Sequence, residues 1–283
     1  MNRNEFKLHL EEYAVELKYD EKSNSSIETY LRYAGLFISF LSHENDITKI
    51  DVINFKKYVV DVLKFSSTTS QLIVICVNKF LHYCNLDDLK VKQIRVQKQS
   101  TVDEIMTSKD FKRLLRIAKR IGDTQTYYIM KSLAYTGVRN EELKYFTYEN
   151  IQNRKMYILV KNKGKERKVP IPQRLRRELL DYCKKEKINK GLIFYSSKDR
   201  NTMPHRSTIF RRLKKIAGIA RVKKSIVHAH AFRHLFAITF LENGGDSLDL
   251  MNILGHNSLE TTRGYVIKTQ DQLRKQIENK IKY

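Results

Sequence analysis

One arginine stands beside the end of a predicted helix, in the segment YTGVRNEEL (135–143). Gly137 is a helix-stop signal after an apolar run, and Arg139 follows it by two residues. Glu142 lies three positions further on, a spacing at which two side chains meet on one helix face. The pair could be an ordinary surface ion pair at a helix start. The alternative is that it presents a guanidinium, held by a carboxylate, to a phosphate.

A second arginine lies in a histidine-rich segment, HAHAFRHLF (228–236). His230 and Arg233 are three residues apart at the start of a predicted helix, so they should face the same way near its positive end. An imidazole and a guanidinium in that place suit a phosphate group. His228 and His234 compete for the role, and the spacing to Arg233 favours His230. The alternative is that both side chains cap a buried helix.

Lysines crowd the segment VKNKGKERKVPIP (160–172). Residues 155–160 and 168–172 are β-prone, and Asn162-Lys-Gly164 between them is typical of a hairpin turn. A lysine at the tip of a hairpin can reach away from a rigid platform, and Lys163 is the candidate. Lys161, Lys165 and Lys168 could reach out in the same way, and Lys161 or Lys165 could take the role of Lys163 if the hairpin register differs. A solvated turn is the ordinary explanation.

The segment LGHNSLETTRGYV (254–266) holds His256 and Tyr265, nine positions apart. The chain has 16 tyrosines, so this one gains meaning only from the other three segments. Two arginines, one lysine, two histidines and one tyrosine are together the groups needed to split a phosphodiester without a metal. Guanidinium groups neutralise the negative charge of the transition state. A hydroxyl nucleophile needs a base to take its proton, and the departing alkoxide needs an acid to supply one.

The elements that must position these groups begin with a separate helical unit, residues 1–85, in which apolar residues recur at helix spacing in four runs. Capping boxes are predicted at Ser25–Glu28 and Thr48–Asp51 for the second and third helices, and Ser67 lies near the start of the fourth. Residues 86–105 lose the helical period and gain charge. They are predicted to be an extended interdomain linker.

Residues 106–283 are predicted to be mainly helical around the hairpin. One helix is expected over 107–120 and a buried one up to Gly137. After the hairpin, further helices are expected at about 173–187, 205–217, 230–243, 246–254 and 258–266, followed by a charged tail. The fold class is therefore mostly α (α+β), a four-helix N-terminal domain plus a mainly helical domain with a small antiparallel β-sheet.

The charge is concentrated in the second part of the chain. The formal net charge is +23, but residues 1–100 carry 14 Lys and Arg against 13 Asp and Glu. Residues 101–283 carry 40 against 18, which predicts a polyanion partner such as double-stranded DNA. No apolar run is long enough to span a membrane. The three cysteines are scattered, so a cytoplasmic bacterial protein, associated with the nucleoid, is expected.

The four segments together resemble the motifs of the tyrosine recombinase (phage integrase) family. TGVRNEEL resembles its first arginine box, KNKGKERKVPIP its β-hairpin lysine, HAFRHLFAITFLENGGD its His-x-x-Arg box, and LGHNSLETTRGYV its final histidine and nucleophilic tyrosine. Their order and spacing match over residues 136–266, whereas the N-terminal part matches only in size, helicity and position. Each motif alone is weakly specific, and the ordered set is highly specific.

The resemblance implies how the substrate phosphate would be bound. Arg139 and Arg233 would hold the scissile phosphate, and His256 would hydrogen-bond to it. Glu142 would support the site by orienting the first arginine. Neither a cofactor nor a metal ion is implied.

The resemblance also implies the covalent and proton-transfer steps. Tyr265 would attack the phosphate and form a 3′-phosphotyrosyl link, leaving a free 5′-hydroxyl. His230 would assist proton transfer at the tyrosine. Lys163 would be the general acid that protonates the departing 5′ oxygen.

The family's architecture supplies further expectations for the whole chain. Residues 1–85 would be a core-binding DNA domain, and 106–283 a catalytic domain with a C-terminal exchange tail. Four protomers would assemble on two DNA molecules carrying paired inverted core sites, each tail docking on a neighbour. No arm-binding domain precedes the first helices, so a compact Xer-like or transposon-encoded resolvase type is expected. Its role would be in integration, excision or cointegrate resolution of a mobile element, with a chromosomal dimer-resolution recombinase as the alternative.

Two alternatives remain open at this stage. A relaxing enzyme similar to type IB topoisomerases would use the same groups without a partner site. A catalytically silent, sequence-specific DNA-binding protein would keep the fold without the reaction. A general nucleic-acid-binding structural protein would explain the charge but not the ordered motifs.

Overall fold

The chain is divided into two compact units, Met1–Lys98 and Gln99–Tyr283, in the computed structural model. The structure describes residues 1–42, 45–95, 105–153, 155–162, 165–255 and 278. Helices dominate both units, and the described residues form one two-stranded sheet. The predicted fold class is therefore confirmed. The roles assigned to segments 1–85, 86–105 and 106–283 stay predictions.

The first unit contains the four predicted helices. They are α1 (Arg3–Tyr19), α2 (Asn24–Phe40), α3 (Lys49–Lys57) and α4 (Ser67–Tyr83), with a π-helical turn at Tyr58–Val62. Aromatic side chains form the centre of its core, where Phe6 packs against Phe37 and Phe80. Such ring pairs combine a large buried apolar area with favourable edge-to-face geometry.

Two helix starts in this unit carry side-chain caps at or near the predicted residues. The capping box at Thr48 and Asp51 is present, as predicted. The predicted box at Ser25–Glu28 is wrong, because α2 begins at Asn24 and its N-cap is Ser23, whose hydroxyl accepts from the backbone N–H of Ser26. A serine-rich run offers several caps of equal quality, so sequence alone could not choose among them.

The second unit surrounds α6, a helix buried on most of its faces. The helices of this unit are α5 (Ser108–Arg120), α6 (Thr124–Thr136), α7 (Tyr148–Gln152), α8 (Gln173–Lys185), α9 (Arg206–Ile219), α10 (Ala229–Glu242) and α11 (Ser247–Leu254). The short α7 was not predicted, and the bounds that were predicted for the others lie within two residues of the observed ones. The predicted helix at 258–266 and the predicted tail lie outside the described residues.

The predicted hairpin is present between α7 and α8. Strands β1 (Tyr157–Asn162) and β2 (Lys165–Pro170) pair antiparallel, with Lys161 opposite Glu166. Both strands run closer to the turn than the sequence predicted. Val160 and Val169 point into the core and anchor the hairpin.

Two further observations concern chemistry outside the site. Cys76, Cys84 and Cys183 are free thiols buried in the cores. Among the described residues, no helix is both long and apolar enough to cross a membrane.

Candidate active site

The first arginine is placed by the end of α6. Gly137 adopts a left-handed conformation, with φ of 66°, and its N–H donates to the carbonyl of Leu133. A residue without a side chain is favoured there, and it ends the helix. The chain then extends at Arg139 before a 3₁₀ turn, Asn140–Tyr145. The predicted helix stop is therefore present, and it turns Arg139 outward with its side chain 36% exposed.

Glu142 is a buried carboxylate that holds Arg139 at two points. Its Oε2 accepts from the backbone N–H of Arg139 at 2.7 Å, and its Oε1 accepts from Arg139 Nη1 at 3.1 Å. Only 2% of Glu142 is exposed. Burial raises the pKa of its carboxyl, but hydrogen bonds from Arg167 and from the backbone of Arg139 outweigh burial and lower the pKa to about 2. The carboxylate is therefore ionised at neutral pH.

Arg167 is a member of this cluster that the sequence did not single out. From β2, its Nη1 and Nη2 donate to the two oxygens of Glu142 at 2.8 and 2.7 Å. The period-two alternation of β2 carried a signal, because it puts Arg167 on the same face as buried Val169. An inward-facing arginine implies a buried acidic partner. The lysines around it in the sequence obscured that signal.

The three arginines converge on the C-terminus of α11. The last carbonyl groups of α11 and its cap, Ile253–Gly255, each accept from a different guanidinium. Arg167 Nε donates to Ile253 at 3.0 Å, Arg233 Nη2 to Leu254 at 2.8 Å, and Arg139 Nη2 to Gly255 at 3.4 Å. A helix C-terminus carries unpaired carbonyls and partial negative charge, so cations stabilise it. We call Ile253–Gly255 the carbonyl end of α11.

Arg233 points into the protein rather than outward beside His230. It is 1% exposed, and its Nη1 donates to the carbonyl of Gly137 at 2.7 Å. One guanidinium thus joins the end of α6 to the carbonyl end of α11. The expected shared face of Arg233 and His230 stays a prediction; the structure shows that the Arg233 side chain is buried whereas His230 is exposed.

His230 lies on the exposed side of α10 and shares a pocket with Arg139. The pocket has a volume of about 430 Å³, and Arg206 and His228 also line it. Partial burial of the ring, followed by the positive charge of Arg233, lowers the pKa of His230. The ring is therefore neutral at physiological pH, which is the form that can accept a proton.

His234 is the histidine that packs beside His230. The two rings meet edge to face with 4.7 Å between their centroids. Burial, with the neighbouring His230, lowers the pKa of His234 to about 4. His234 does not line the pocket, whereas His228 does, next to His230.

The hairpin presents its lysines in different ways. Lys161 pairs with Glu166 across the strands, and the ammonium of Lys168 lies 5.1 Å from the ring centre of Tyr157. The hydroxyl of Tyr145 donates to the carbonyl of Lys161 at 2.8 Å, which ties β1 to the turn after Arg139. Lys161 and Lys168 thus have partners within the hairpin. The candidate Lys163 lies outside the described residues, as does the side chain of Lys165.

His256 and Tyr265 also lie outside the described residues. The described chain before them ends with α11, whose last residue is Leu254 and whose C-cap is Gly255, with a left-handed φ of 64° and a carbonyl that accepts from Arg139. The parts of the chain that the structure describes contain no group of three or more His, Cys, Asp and Glu side chains placed to hold a metal ion.

A comparison with protein families decides what kind of protein has this arrangement. The model described as the phage integrase family matches residues 104–272. The chain belongs to the phage integrase family. The family resemblance of the four motifs is confirmed, and every described element of the candidate site lies inside the matched region.

Individual relatives match over nearly the whole chain. Tyrosine recombinase XerA of Pyrococcus furiosus is 28% identical over 273 residues, which are 95% of this chain and 92% of XerA. A crystal structure of XerA recombinase is 27% identical, with a TM-score of 0.56 and 99% of each chain covered. A lambda integrase dimer bound to a core site has a TM-score of 0.74 at 15% identity, with 94% of this chain and 95% of that chain covered. At 15% identity, the similarity to the lambda integrase structure shows a shared fold alone.

Replacing Gly137 with Ala tests how tightly this integrase site is packed. A Cβ at Gly137 would lie 2.6 Å from both Leu254 Cδ2 and Phe236 Cδ1, in a backbone conformation that already disfavours a side chain. We expect a loss of about 2–4 kcal/mol in the free energy of unfolding, from left-handed strain plus overpacking.

Gly122 is the matched control for that substitution. Its φ is 72°, yet a Cβ there would meet nothing within 4 Å. Gly122→Ala should therefore cost only the backbone strain, about 1 kcal/mol. Chemical denaturation of both variants measures the difference. Equal losses would mean that the contact of Gly137 with Leu254 is not tight in solution.

Proposed function

We propose that this protein is a site-specific tyrosine recombinase that cleaves and rejoins duplex DNA through a 3′-phosphotyrosyl intermediate at Tyr265. One observation carries the proposal. Arg139, Arg233 and the residue preceding His256 come from separate motifs, with Arg139 and Gly255 116 positions apart, yet they meet at the carbonyl end of α11. A shared phosphate site is a direct reason for motifs so far apart to converge.

Arg139 is the group best placed to bind the scissile phosphate. Its guanidinium is partly exposed and opens onto the pocket that His230 lines, while Glu142 fixes its position from behind. A planar guanidinium matches two phosphate oxygens and neutralises charge that develops in the transition state. Arg233, buried one layer deeper, adds positive charge and holds the carbonyl end of α11. His256, next in sequence, would complete the phosphate contacts.

The proton transfers are assigned to His230 and Lys163. The Tyr265 hydroxyl loses its proton to neutral His230 as its oxygen attacks phosphorus. The P–O bond to the 5′ oxygen breaks, and Lys163 donates a proton to that oxygen. Attack by a 5′-hydroxyl of a partner strand reverses these steps and releases the tyrosine. One phosphodiester replaces another, so rejoining needs no external energy source.

The binding partner is double-stranded DNA with paired inverted core sites. Residues 101–283 carry 40 basic residues against 18 acidic ones. The basic residues supply the phosphate contacts, and the affinity for DNA should therefore depend steeply on salt. Four protomers assemble on two sites through the segment after Tyr265. The site of action is the nucleoid in the cytoplasm, on a mobile element that is integrated, excised or resolved.

A covalent adduct is the test of this function. Duplexes recovered by binding from a random-sequence pool are rebuilt with a series of nicks, so that the short fragment departs and the adduct accumulates. We expect a protein–DNA band on a denaturing gel without ATP and in the presence of EDTA. The released fragment should carry a 5′-hydroxyl that polynucleotide kinase labels directly.

The outcomes separate the proposal from its alternatives. Recombinant products from two bound sites support a recombinase, whereas relaxation of a plasmid without strand exchange indicates a topoisomerase-like enzyme. Specific binding with no adduct on any nicked duplex contradicts the proposed function and leaves a DNA-binding protein.

A further inference from the structure

The guanidinium of Arg167 forms hydrogen bonds to other groups of the protein. Nη1 and Nη2 donate to both oxygens of Glu142, and Nε donates to the carbonyl of Ile253. The side chain is only 13% exposed. Arg167 is therefore built to hold other groups rather than to touch a substrate.

We propose that Arg167 is a positioning residue that fixes Arg139 relative to the carbonyl end of α11. The proposal rests on the proposed function, since it concerns the placement of the phosphate-binding arginine. Its path has two contacts: Arg167 to Glu142, and Glu142 to the backbone and side chain of Arg139. The same guanidinium binds Ile253, three residues before His256. Arg139 and the carbonyl end of α11 are thus both held by the guanidinium of Arg167, the first through Glu142 and the second directly.

The way in which Arg139 and Arg167 share the two oxygens of Glu142 explains why a second arginine is needed. A buried carboxylate beside one arginine forms a two-bond fork with it. Here Arg167 forms that fork, so the side chain of Arg139 reaches Glu142 through Nη1 alone, at the longer distance of 3.1 Å. Without Arg167, Glu142 would draw Arg139 into the fork and away from the pocket. Arg167 therefore keeps Arg139 directed at the substrate.

Gly255 gives independent support that this arrangement is built into the chain. A Cβ on Gly255 would lie 2.7 Å from Cδ of Arg167 and 3.1 Å from its Nε. Gly255, the left-handed residue after α11, therefore packs directly against the aliphatic part of Arg167. A residue with a Cβ at this position would collide with it. The arginine and the turn before His256 are packed as one unit.

The experiment is a double-mutant cycle on strand cleavage, with the nicked duplex described above at saturating concentration. Arg167→Gln should slow cleavage about 100-fold, the effect of a displacement near 1 Å. DNA affinity should change by less than about threefold. Arg167→Lys keeps the charge without the fork and should recover part of the rate. In the Arg139→Ala background, Arg167→Gln should slow cleavage by less than about threefold, because its effect passes through Arg139.

Arg176→Gln is the matched control. Arg176 also binds carbonyl groups at a helix end, donating to Ile151 at 2.8 Å and to Gln152 at 2.7 Å, the last two residues of α7, but it has no hydrogen bond to Glu142. It should lower the melting temperature and leave cleavage unchanged. Equal slowing in both Arg139 backgrounds, or slowing by Arg176→Gln as large as by Arg167→Gln, would overturn the positioning role. If the native protein forms no adduct at Tyr265, the proposed function itself fails.

Discussion

Replacing Tyr265 with Phe is expected to abolish the covalent adduct and leave DNA binding intact. The substitution removes one oxygen, the atom that would attack phosphorus, and keeps the ring. Loss of a nucleophile with the rest of the site in place lowers the rate by about 10⁴-fold or more. The basic surface of residues 101–283 is unchanged, so affinity for the bound duplex and its salt dependence should stay the same.

The measurement pairs a denaturing gel with a native gel on the same nicked duplex. Tyr135→Phe is the matched control, since Tyr135 is a partly exposed tyrosine, at 44%, and lies two residues before Gly137. It should form the adduct at the native rate. An adduct that persists in Tyr265→Phe would assign the nucleophile to another residue. Loss of both the adduct and DNA binding would indicate that the Tyr265→Phe variant does not fold as the native protein does.

Local signals predicted most of the fold, because helices and hairpins are encoded by nearby residues. The apolar period located the longer helices of the second unit to within two residues, and Asn162-Lys-Gly164 located the hairpin. Gly137 marked the end of α6 correctly. The cap of α2 was misplaced by two residues since Ser23 and Ser25 are equally good caps.

The contacts that assemble the site could not be predicted in the same way. Arg167 meets Glu142 from 25 residues away and Ile253 from 86 residues away, and no local spacing announces either contact. The burial of the Arg233 guanidinium against the carbonyls of Gly137 and Leu254 is a further tertiary effect. The pattern gave the chemistry of the groups, whereas their partners depend on how β2, α6 and α11 pack.

Replacing Glu142 with Gln is expected to destabilise the protein by about 3–5 kcal/mol, because it leaves two guanidinium groups beside an uncharged amide. The carboxylate is 2% exposed and receives hydrogen bonds from both Arg139 and Arg167. Cleavage should slow as well, since Arg139 loses its support. Glu178→Gln is the control: Glu178 also bridges two cations, Lys131 and Arg174, but it is 26% exposed. Its loss should be smaller.

Acid titration gives the same prediction a second, independent readout. The pKa of Glu142 falls from 4.5 to about 2 on folding, so the ionised carboxylate stabilises the native state above pH 4.5. That contribution, roughly 3 kcal/mol, disappears as the pH falls from 4.5 towards 2. The Glu142→Gln variant has no titrating group at this position, so it loses no stability from it over this pH range. The difference in free energy of unfolding between the native protein and Glu142→Gln should therefore shrink with acid, and a difference that stays constant from about pH 7 to about 2 would contradict the ion pairing of Glu142 with Arg167.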